Sequence, residues 1–210
     1  MKTLILLFLL SVIAVSTEAQ FISNYGIKLG VGISNQSWNY KETGELKWDN
    51  KTGISPRIFA DFFNISFFQL EGEMGYLRKG FQTDLQITTT QNPEGTGDIK
   101  RLNNGLDYFT ISISGKLKYE LKYFIPFIIA GPQLNILVNK DVEKGFEVVF
   151  DKFKKSNVGM TIGAGMEVKN ILPGAILLEY RYETDFSNNY DSPNIDIKNY
   201  SHVFFIGIIL

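Results

Sequence analysis

Residues 108–119 read Tyr-Phe-Thr-Ile-Ser-Ile-Ser-Gly-Lys-Leu-Lys-Tyr, and apolar and polar side chains alternate along them. In a β-strand, Phe109, Ile111 and Ile113 would lie on one face, because successive side chains point to opposite sides. Serine, threonine and lysine side chains occupy the other face. The stretch therefore predicts a strand with one apolar and one polar surface. By itself it leaves open whether the apolar surface meets a protein core or lipid.

The composition favours one β-rich domain without metal or cofactor chemistry. A chain of 210 residues is long enough for a single domain with its own core. It contains 17 Phe, 10 Tyr and 19 Gly, residue types that suit strands and tight turns. The formal net charge of -1 gives the whole chain no attraction for nucleic acid. The sequence has no Cys, which excludes a disulfide scaffold, and its single His excludes a His-rich metal site, so no cofactor is expected.

The first 19 residues have the organisation of a signal peptide. Lys2 supplies the positive charge, Leu4 to Val15 the apolar region, and Ser16 to Ala19 a small, polar end. We expect cleavage after Ala19, so that residues 20–210 form one exported domain. The alternative is a membrane-anchor helix, which is disfavoured because the apolar run is shorter than the ~20 residues that span a bilayer.

Eight segments of the mature chain alternate as strands do. They are residues 25–34, 53–63, 66–81, 108–119, 123–138, 157–169, 174–184 and 200–210. The connections between them alternate long and short, as expected for an up-and-down meander with all long loops at one end. Pro126 and Pro132 make residues 123–138 an unusual strand, since central strands rarely accommodate proline. No helical period appears after residue 20, so the predicted fold class is all-β, an eight-stranded antiparallel up-and-down barrel.

Two closed architectures fit eight such strands. A secreted lipocalin-like carrier would turn its apolar face inward, whereas a transmembrane β-barrel would turn it towards lipid. The polar face is rich in glycine, at Gly26, Gly30, Gly32, Gly75, Gly159, Gly163 and Gly165. A crowded barrel interior needs positions without side chains, whereas a solvated surface does not. Together with the export signal and the connection lengths, this favours a barrel that contacts outer-membrane lipid.

The charged residues of the polar face carry both signs. In a narrow interior unpaired charges would be costly, so we expect a near-neutral network. Its predicted members are Lys28, Arg57, Asp61, Glu71, Glu73, Lys116, Lys118, Glu167, Lys169, Glu179 and Arg181. On a soluble barrel the same residues would be ordinary solvated charges.

The last strand places Phe204, Ile206, Ile208 and Leu210 on one face. This ending is similar to the terminal signal by which the outer-membrane assembly machinery recognises barrels, although its last residue is Leu rather than an aromatic. We therefore expect that machinery to be a partner.

Two stretches resemble the PorT-like outer-membrane β-barrel family of Bacteroidetes. They are Gly-Ile-Lys-Leu-Gly-Val-Gly-Ile-Ser at residues 26–34 and Phe-Ile-Pro-Phe-Ile-Ile-Ala-Gly-Pro at residues 124–132, and the phenylalanine-rich ending is also similar. The resemblance covers essentially the whole mature chain through degenerate strand patterns. It implies an eight-stranded barrel in the outer membrane of a Gram-negative cell. The named member of that family takes part in protein secretion, and no catalytic residue carries over.

Catalysis and transport are the alternatives to a structural role. His202 is the only imidazole, with Ser201 adjacent and Asp185 or Asp196 in the preceding loop, so a lipid-modifying site would have to use it. Glu71 and Glu73 share one face, and we expect them to be paired with cations rather than catalytic. A wide pore is disfavoured because eight strands leave an interior that side chains fill.

The long loops are candidates for binding a protein partner. Trp38, Tyr40, Trp48 and Tyr190 lie in predicted loops, and exposed aromatic residues among polar ones suit contact surfaces. Such residues also occur in loops that fold over themselves. An apolar island at residues 146–150 is expected to extend a hairpin. The predicted function is a small, non-catalytic outer-membrane barrel that acts as a structural or interaction module.

Overall fold

The computed structural model describes residues 22–46, 48–86, 97–169, 174–190, 192 and 194–210. The predicted signal peptide at residues 1–19 lies outside these ranges. The strands are β1 (Ile22–Tyr40), β2 (Gly44–Leu46), β3 (Asp49–Ile65), β4 (Phe68–Gln86), β5 (Ile99–Lys118), β6 (Phe124–Asp141), β7 (Ser156–Lys169), β8 (Ala175–Asp185) and β9 (Ile195–Ile209), and the helix α1 spans Glu147–Asp151. None of the helical segments in these ranges has the length and hydrophobicity that spanning a bilayer requires.

Eight of the strands close into a ring. Each wall strand pairs antiparallel with its neighbour in the chain, and β1 pairs with β9 from Gly26 opposite Ile209 to Tyr40 opposite Ile195. The short β2 pairs only with the last residues of β1, where Trp38 is opposite Leu46, at the long-loop end of the barrel. Closure removes the open sheet edges that hydrocarbon would leave without hydrogen bonds. The predicted eight-stranded antiparallel barrel is confirmed.

The apolar face of the wall points away from the barrel axis. Ile27, Ile113 and Ile206 are 58%, 62% and 59% exposed on the outside. On the inside, the side chains of Lys116 and Arg181 are fully buried. The lipocalin-like alternative is therefore wrong, because the aliphatic residues do not surround a hollow interior.

Glycine makes room for large side chains inside the barrel. A Cβ atom added to Gly30 would lie 2.6 Å from the Phe205 ring, and one added to Gly165 would overlap the Phe127 ring. Both rings belong to buried clusters of the interior. The interior is thus filled by side chains, as expected for a barrel of eight strands.

The proline-containing segment is a full wall strand. On its β7 side β6 pairs without interruption, including Pro126 opposite Met166 and Pro132 opposite Met160. On its β5 side the regular pairing stops at Ser112 opposite Gln133 and resumes at Gly115 opposite Ala130. Pro132 falls in this gap, because it has no N–H to donate.

The strands extend beyond the predicted bounds at the long-loop end. β1 continues to Tyr40, β4 to Gln86, and β9 already begins at Ile195, all within segments predicted to be loops. The apolar island is also different from the prediction. It forms the short helix α1, which buries Phe150, rather than a hairpin.

Candidate functional site

The centre of the barrel holds a dense group of ion pairs. Lys28 Nζ lies 3.1 Å from Glu71 Oε1 and 2.9 Å from Glu179 Oε2, and it also pairs with Glu73. Arg181 contacts the same three carboxylates, with 2.6 Å from Nη2 to Glu71 Oε1 and 3.2 Å from Nη1 to Glu73 Oε1. All five side chains are essentially inaccessible to solvent. Each of the three carboxylates is therefore shared by at least these two cations.

Two further cations extend this group towards the other strands. Arg57 donates from Nη1 to Glu73 Oε1 and from Nη2 to Glu183 Oε1, each at 2.6 Å. Lys116 Nζ lies 2.8 Å from Glu71 Oε2, and it pairs at 3.4 Å with two more carboxylates. We call the connected set the interior charge network. Its members are Lys28, Arg57, Lys116, Arg181, Asp61, Glu71, Glu73, Glu167, Glu179 and Glu183.

Aromatic rings pack against these cations. Lys28 Nζ lies 5.1 Å from the ring centroids of both Phe59 and Phe205, and the Arg57 guanidinium lies 4.8 Å from that of Phe205. Lys116 Nζ lies 4.8 Å from the ring centroid of Phe127. Cation–π contacts of this kind are strengthened when the cation is desolvated. The interior is thus closely packed around the charges.

Nine of the eleven predicted charges belong to the network, Lys118 is buried close to its member Glu167, and Lys169 lies at the rim. Lys118 and Lys169 lie at the short-turn end, where both pair with Glu120 at 3.8 and 3.5 Å. Glu120 is about half exposed, so these two ion pairs lie at the rim, although the Lys118 side chain itself is buried. Glu183 is a member of the network that was not among the predicted charges. Its spacing from Glu179 and Arg181, two residues along the same face of β8, was the signal that could have found it.

A second polar group above the network was not predicted. Asp185 accepts hydrogen bonds from Asn135 Nδ2, Asn189 Nδ2 and Asn199 Nδ2, at 3.1, 2.7 and 2.7 Å. Lys79 Nζ lies 3.6 Å from its Oδ1 atom. These residues are buried inside the barrel. We call the exposed apolar side chains of the outer face, such as Ile27, Ile113 and Ile206, the lipid-facing band. The polar interior therefore continues beyond the level of this band.

The long-loop end has an apolar core of its own. Trp38, Phe81, Leu106, Tyr108, Phe150, Phe153, Tyr190 and Ile197 are buried together, and we call this set the loop-end core. The Trp38 and Phe81 ring centroids are 5.6 Å apart in an edge-on arrangement, and those of Phe150 and Phe153 are 4.6 Å apart. Helix α1 supplies Phe150 and so closes the core from one side.

The predicted contact aromatics belong to this core, which corrects their expected exposure. Trp38 is 3% exposed and Tyr190 is 8% exposed. Tyr40 and Trp48 are partly buried and pack against the same core. Their rings are covered because the wall strands continue upward and bring the loops together. The large apolar side chains that the long-loop end does expose are different ones, including Leu85, Ile99 and Val148.

The residues of the predicted lipid-modifying site are not assembled. Ser201 is fully buried inside the barrel, whereas His202, the next residue of β9, lies on the outer face. Asp185 is held inside by three asparagines, and His202 Nδ1 instead lies 2.8 Å from the Tyr180 hydroxyl. In the described parts of the chain, no group of three or more acidic or His side chains is arranged to hold a metal ion.

The predicted assembly signal lies on the lipid-facing side of β9. Phe204, Ile206 and Leu210 are more than half exposed, and Ile208 is somewhat less so. The inward residues of the same strand, such as Val203 and Phe205, are buried. The four side chains therefore form one continuous outer row beside the seam with β1.

Comparisons with known proteins agree with this architecture. The model of the outer membrane protein beta-barrel domain family matches residues 18–191. A 25 kDa outer-membrane immunogenic protein of Brucella canis is 33% identical over 129 residues, which cover 57% of this chain and 54% of the relative. The chain thus spans about half the length of the curated relatives that it matches.

Solved structures of outer-membrane proteins are similar to this chain at low sequence identity. OprG from Pseudomonas aeruginosa matches with a TM-score of 0.50 and 9% identity, over 89% of this chain and 95% of OprG. Ail, the attachment invasion locus protein of Yersinia pestis, matches with a TM-score of 0.44 and 14% identity, over 89% of this chain and 98% of Ail. The chain therefore belongs to the outer membrane protein beta-barrel domain family and lies in the outer membrane as a small eight-stranded barrel.

Proposed function

We propose that this barrel is a non-catalytic structural and interaction module of the outer membrane, with an accessory role in protein secretion or envelope assembly. The observation that carries the proposal is the contrast between the interior at membrane level and the core at the long-loop end. At membrane level the ion pairs and rings fill the barrel, and at the long-loop end a packed core supports exposed apolar side chains. A filled interior gives no wide path for solutes.

The separation of Ser201 from His202 supports the absence of catalysis. A nucleophile and its base must lie within hydrogen-bonding distance, and these two side chains point to opposite sides of one strand. The resemblance to PorT-like barrels of Bacteroidetes supports the secretion role, and it rests on the strand motifs at residues 26–34 and 124–132 and on the phenylalanine-rich ending.

Leu85, Ile99 and Val148 are our revised candidates for the partner surface. They are 50%, 64% and 73% exposed, and they lie on the β4–β5 hairpin and on α1, above the lipid-facing band. Leu85 is paired with Lys100 and Ile99 with Gln86, so these two side chains point to opposite faces of the hairpin and a partner would have to contact both faces. Exposed apolar side chains are suited to protein contact. Trp38 and Tyr190 would contribute to partner binding only indirectly, because they pack in the loop-end core beneath these side chains.

The test is complementation of a strain that lacks this chain. A variant with Leu85→Glu, Ile99→Glu and Val148→Glu should still fold, shown by faster gel migration before boiling than after. It should fail to restore the secreted-protein profile and resistance to detergent. His202→Ala, the matched control for the enzyme alternative, should restore both. Loss of complementation in His202→Ala, together with a change in lipid mass that depends on His202, would overturn the proposal.

We also propose that the outer row Phe204, Ile206, Ile208 and Leu210 is read by the outer-membrane assembly machinery. Phe204→Asn with Ile208→Asn should lower the amount of folded protein in the membranes of cells. Refolding of the same variant from urea into detergent micelles should remain efficient. An equal loss in both experiments would mean that these residues serve stability only.

A further inference from the structure

Two cationic side chains converge on the outer face of Gly105. The neighbouring Asn104 and Leu106 are buried inside the barrel, so a side chain at Gly105 would point outward. A Cβ atom there would lie 2.9 Å from Arg78 Nη2 and 3.0 Å from Lys51 Nζ. Both cations are therefore gathered at one point where the wall has no side chain.

Lys51 reaches this point across a second glycine. A Cβ atom on Gly80, the residue paired with Gly105, would lie 3.0 Å from Lys51 Cδ. Gly80 also has a φ of +150°, which favours glycine. A Cβ atom on Gly80 would first overlap the backbone oxygen of Asn104, so the close approach of β5 requires this glycine as well as the path of Lys51. The ammonium group thus reaches the level of Gly105, where it donates to Asn103 Oδ1. Lys51 is nevertheless only 3% exposed, so neighbouring side chains cover it.

This point lies at the edge of the lipid-facing band. Along the outer row of β4, the exposed Met74 is followed by Tyr76 and then by Arg78, and along β5 Phe109 is the last exposed apolar residue before Gly105. A tyrosine at such a transition is typical of the depth of lipid headgroups. Because long loops face the cell exterior in outer-membrane barrels, the adjoining leaflet is the outer one.

The nearby carboxylates differ in how firmly they are held. Asp107 accepts from the Tyr76 hydroxyl at 2.6 Å and from Asn139 Nδ2 at 3.0 Å, and it lies 3.7 Å from Arg78 Nε. Asp141 also pairs with Arg78, but its side chain is 64% exposed. An exposed pair contributes little, so Asp141 can release Arg78 to a stronger ligand.

The electrostatics favour an incoming anion. Burial and the neighbouring Arg78 guanidinium lower the pKa of Lys51, and Asp141 and Asp107 act in the opposite direction. With Asp141 displaced, two cations face one carboxylate. A phosphate group supplies several strong acceptor oxygens and a guanidinium binds two of them at once.

We propose that Arg78, whose side chain is 33% exposed, binds the phosphate group of an outer-leaflet lipid beside Gly105, and that the buried Lys51 supplies a second positive charge behind it. Asp107 positions Arg78 from below, and Asp141 occupies the guanidinium only when no phosphate is bound. The site goes beyond the proposed interaction role, because it lies on the wall and uses none of the partner-surface residues.

The test is lipid binding by the full chain in detergent micelles, measured by native mass spectrometry. The probes are phosphatidic acid, diacylglycerol with the same acyl chains, and inorganic phosphate. Arg78→Gln should weaken phosphatidic acid binding about tenfold, the effect of losing one charge-assisted contact of ~1.4 kcal/mol. Asp141→Asn should tighten it, because the variant lacks the competing carboxylate. Arg101→Gln, which removes an exposed arginine paired with Asp84 farther above the band, is the matched control and should change nothing.

Several outcomes would overturn the proposal. One is equal affinity for phosphatidic acid and diacylglycerol. Another is binding of inorganic phosphate that depends on Arg78 in the same way, which would make the ligand a free anion. Weaker binding in Asp141→Asn would show that Asp141 builds the site rather than competing for it. If Arg78→Gln fails to fold on the gel assay, the sign of the Asp141→Asn effect decides alone.

Discussion

The same strands build two cores of opposite character. At membrane level the inner face of β1 presents Lys28 and the outer face Ile27, whereas at the long-loop end the inner face presents Trp38 and the outer face Ser37. The alternation of side chains continues unbroken, and only its polarity is inverted. In lipid the outer face must be apolar, and above the membrane that face meets water. The surroundings of the wall therefore decide which residue types its two faces carry.

The largest expected effect comes from breaking the interior charge network. Arg181→Met should lower the free energy of unfolding by about 3–5 kcal/mol, because it leaves three buried carboxylates with fewer partners. Urea unfolding in micelles, followed by the gel shift on boiling, measures it. Arg101→Met, at an exposed arginine, is the control and should change little. Equal midpoints for the wild type and Arg181→Met would mean that the network does not stabilise the barrel.

A truncation in the loop-end core should have a more local effect. Phe150→Ala removes a fully buried ring and should cost about 3 kcal/mol. We expect the loss to appear as faster proteolysis of the long-loop end, while the gel shift of the barrel persists. A barrel that unfolds as readily as Arg181→Met would show that the two cores are one cooperative unit.

A matched pair of isoleucines compares the outer surfaces of the two regions. Ile113 and Ile99 are 62% and 64% exposed on the same strand β5. Ile113→Lys should destabilise the protein in bilayers by about 2–4 kcal/mol, because the charge would face hydrocarbon. Ile99→Lys should fall within about 0.5 kcal/mol of the wild type, because it faces water. Refolding into lipid vesicles measures both, and equal costs would contradict the position of the lipid-facing band.

The smallest expected effect is a pH dependence of stability that comes from the exposed ion pair of Asp84 and Arg101, above the lipid-facing band. The hydrogen bond from Arg101 holds the pKa of Asp84 below its ordinary value of 3.8. A carboxyl group whose pKa is lower in the folded state stabilises that state at pH values above its ordinary pKa. This contribution is lost as the pH falls through the pKa of the folded state. Asp84→Asn should therefore lower the thermal midpoint slightly at pH 7 and low salt, and leave it unchanged near pH 2. A larger difference in acid than at pH 7 would contradict this sign.

The strands of the wall at membrane level could be predicted well from the sequence, because their apolar residues alternate regularly with small or polar ones. From residue 108 to 119, as along β7, apolar residues alternate with small or polar ones, and that signal is enough to set strand, face and register. The polar interior could be predicted from the same alternation. Which charges pair across the barrel could not, because pairs such as Arg57 with Glu183 depend on closure of distant strands.

The long-loop end was mispredicted for a physical reason. Trp38, Phe81 and Ile197 stand at inward positions among polar residues, so the inverted alternation looks like a loop with scattered aromatics. The apolar island at residues 146–150 was expected to extend a hairpin, yet it forms a short helix whose Phe150 packs in the loop-end core. Burial of Tyr190 likewise depends on strands that extend beyond their predicted bounds.

The most direct test of the orientation of the wall uses spin labels at four consecutive positions of β5. The chain has no Cys, so Ile111→Cys, Ser112→Cys, Ile113→Cys and Ser114→Cys each give one labelling site. In lipid vesicles, labels at 111 and 113 should be relaxed by oxygen dissolved in the bilayer. Labels at 112 and 114 should be immobile and inaccessible to oxygen. The reverse pattern, with oxygen reaching 112 and 114 while 111 and 113 are protected, would contradict a barrel with its charges inside.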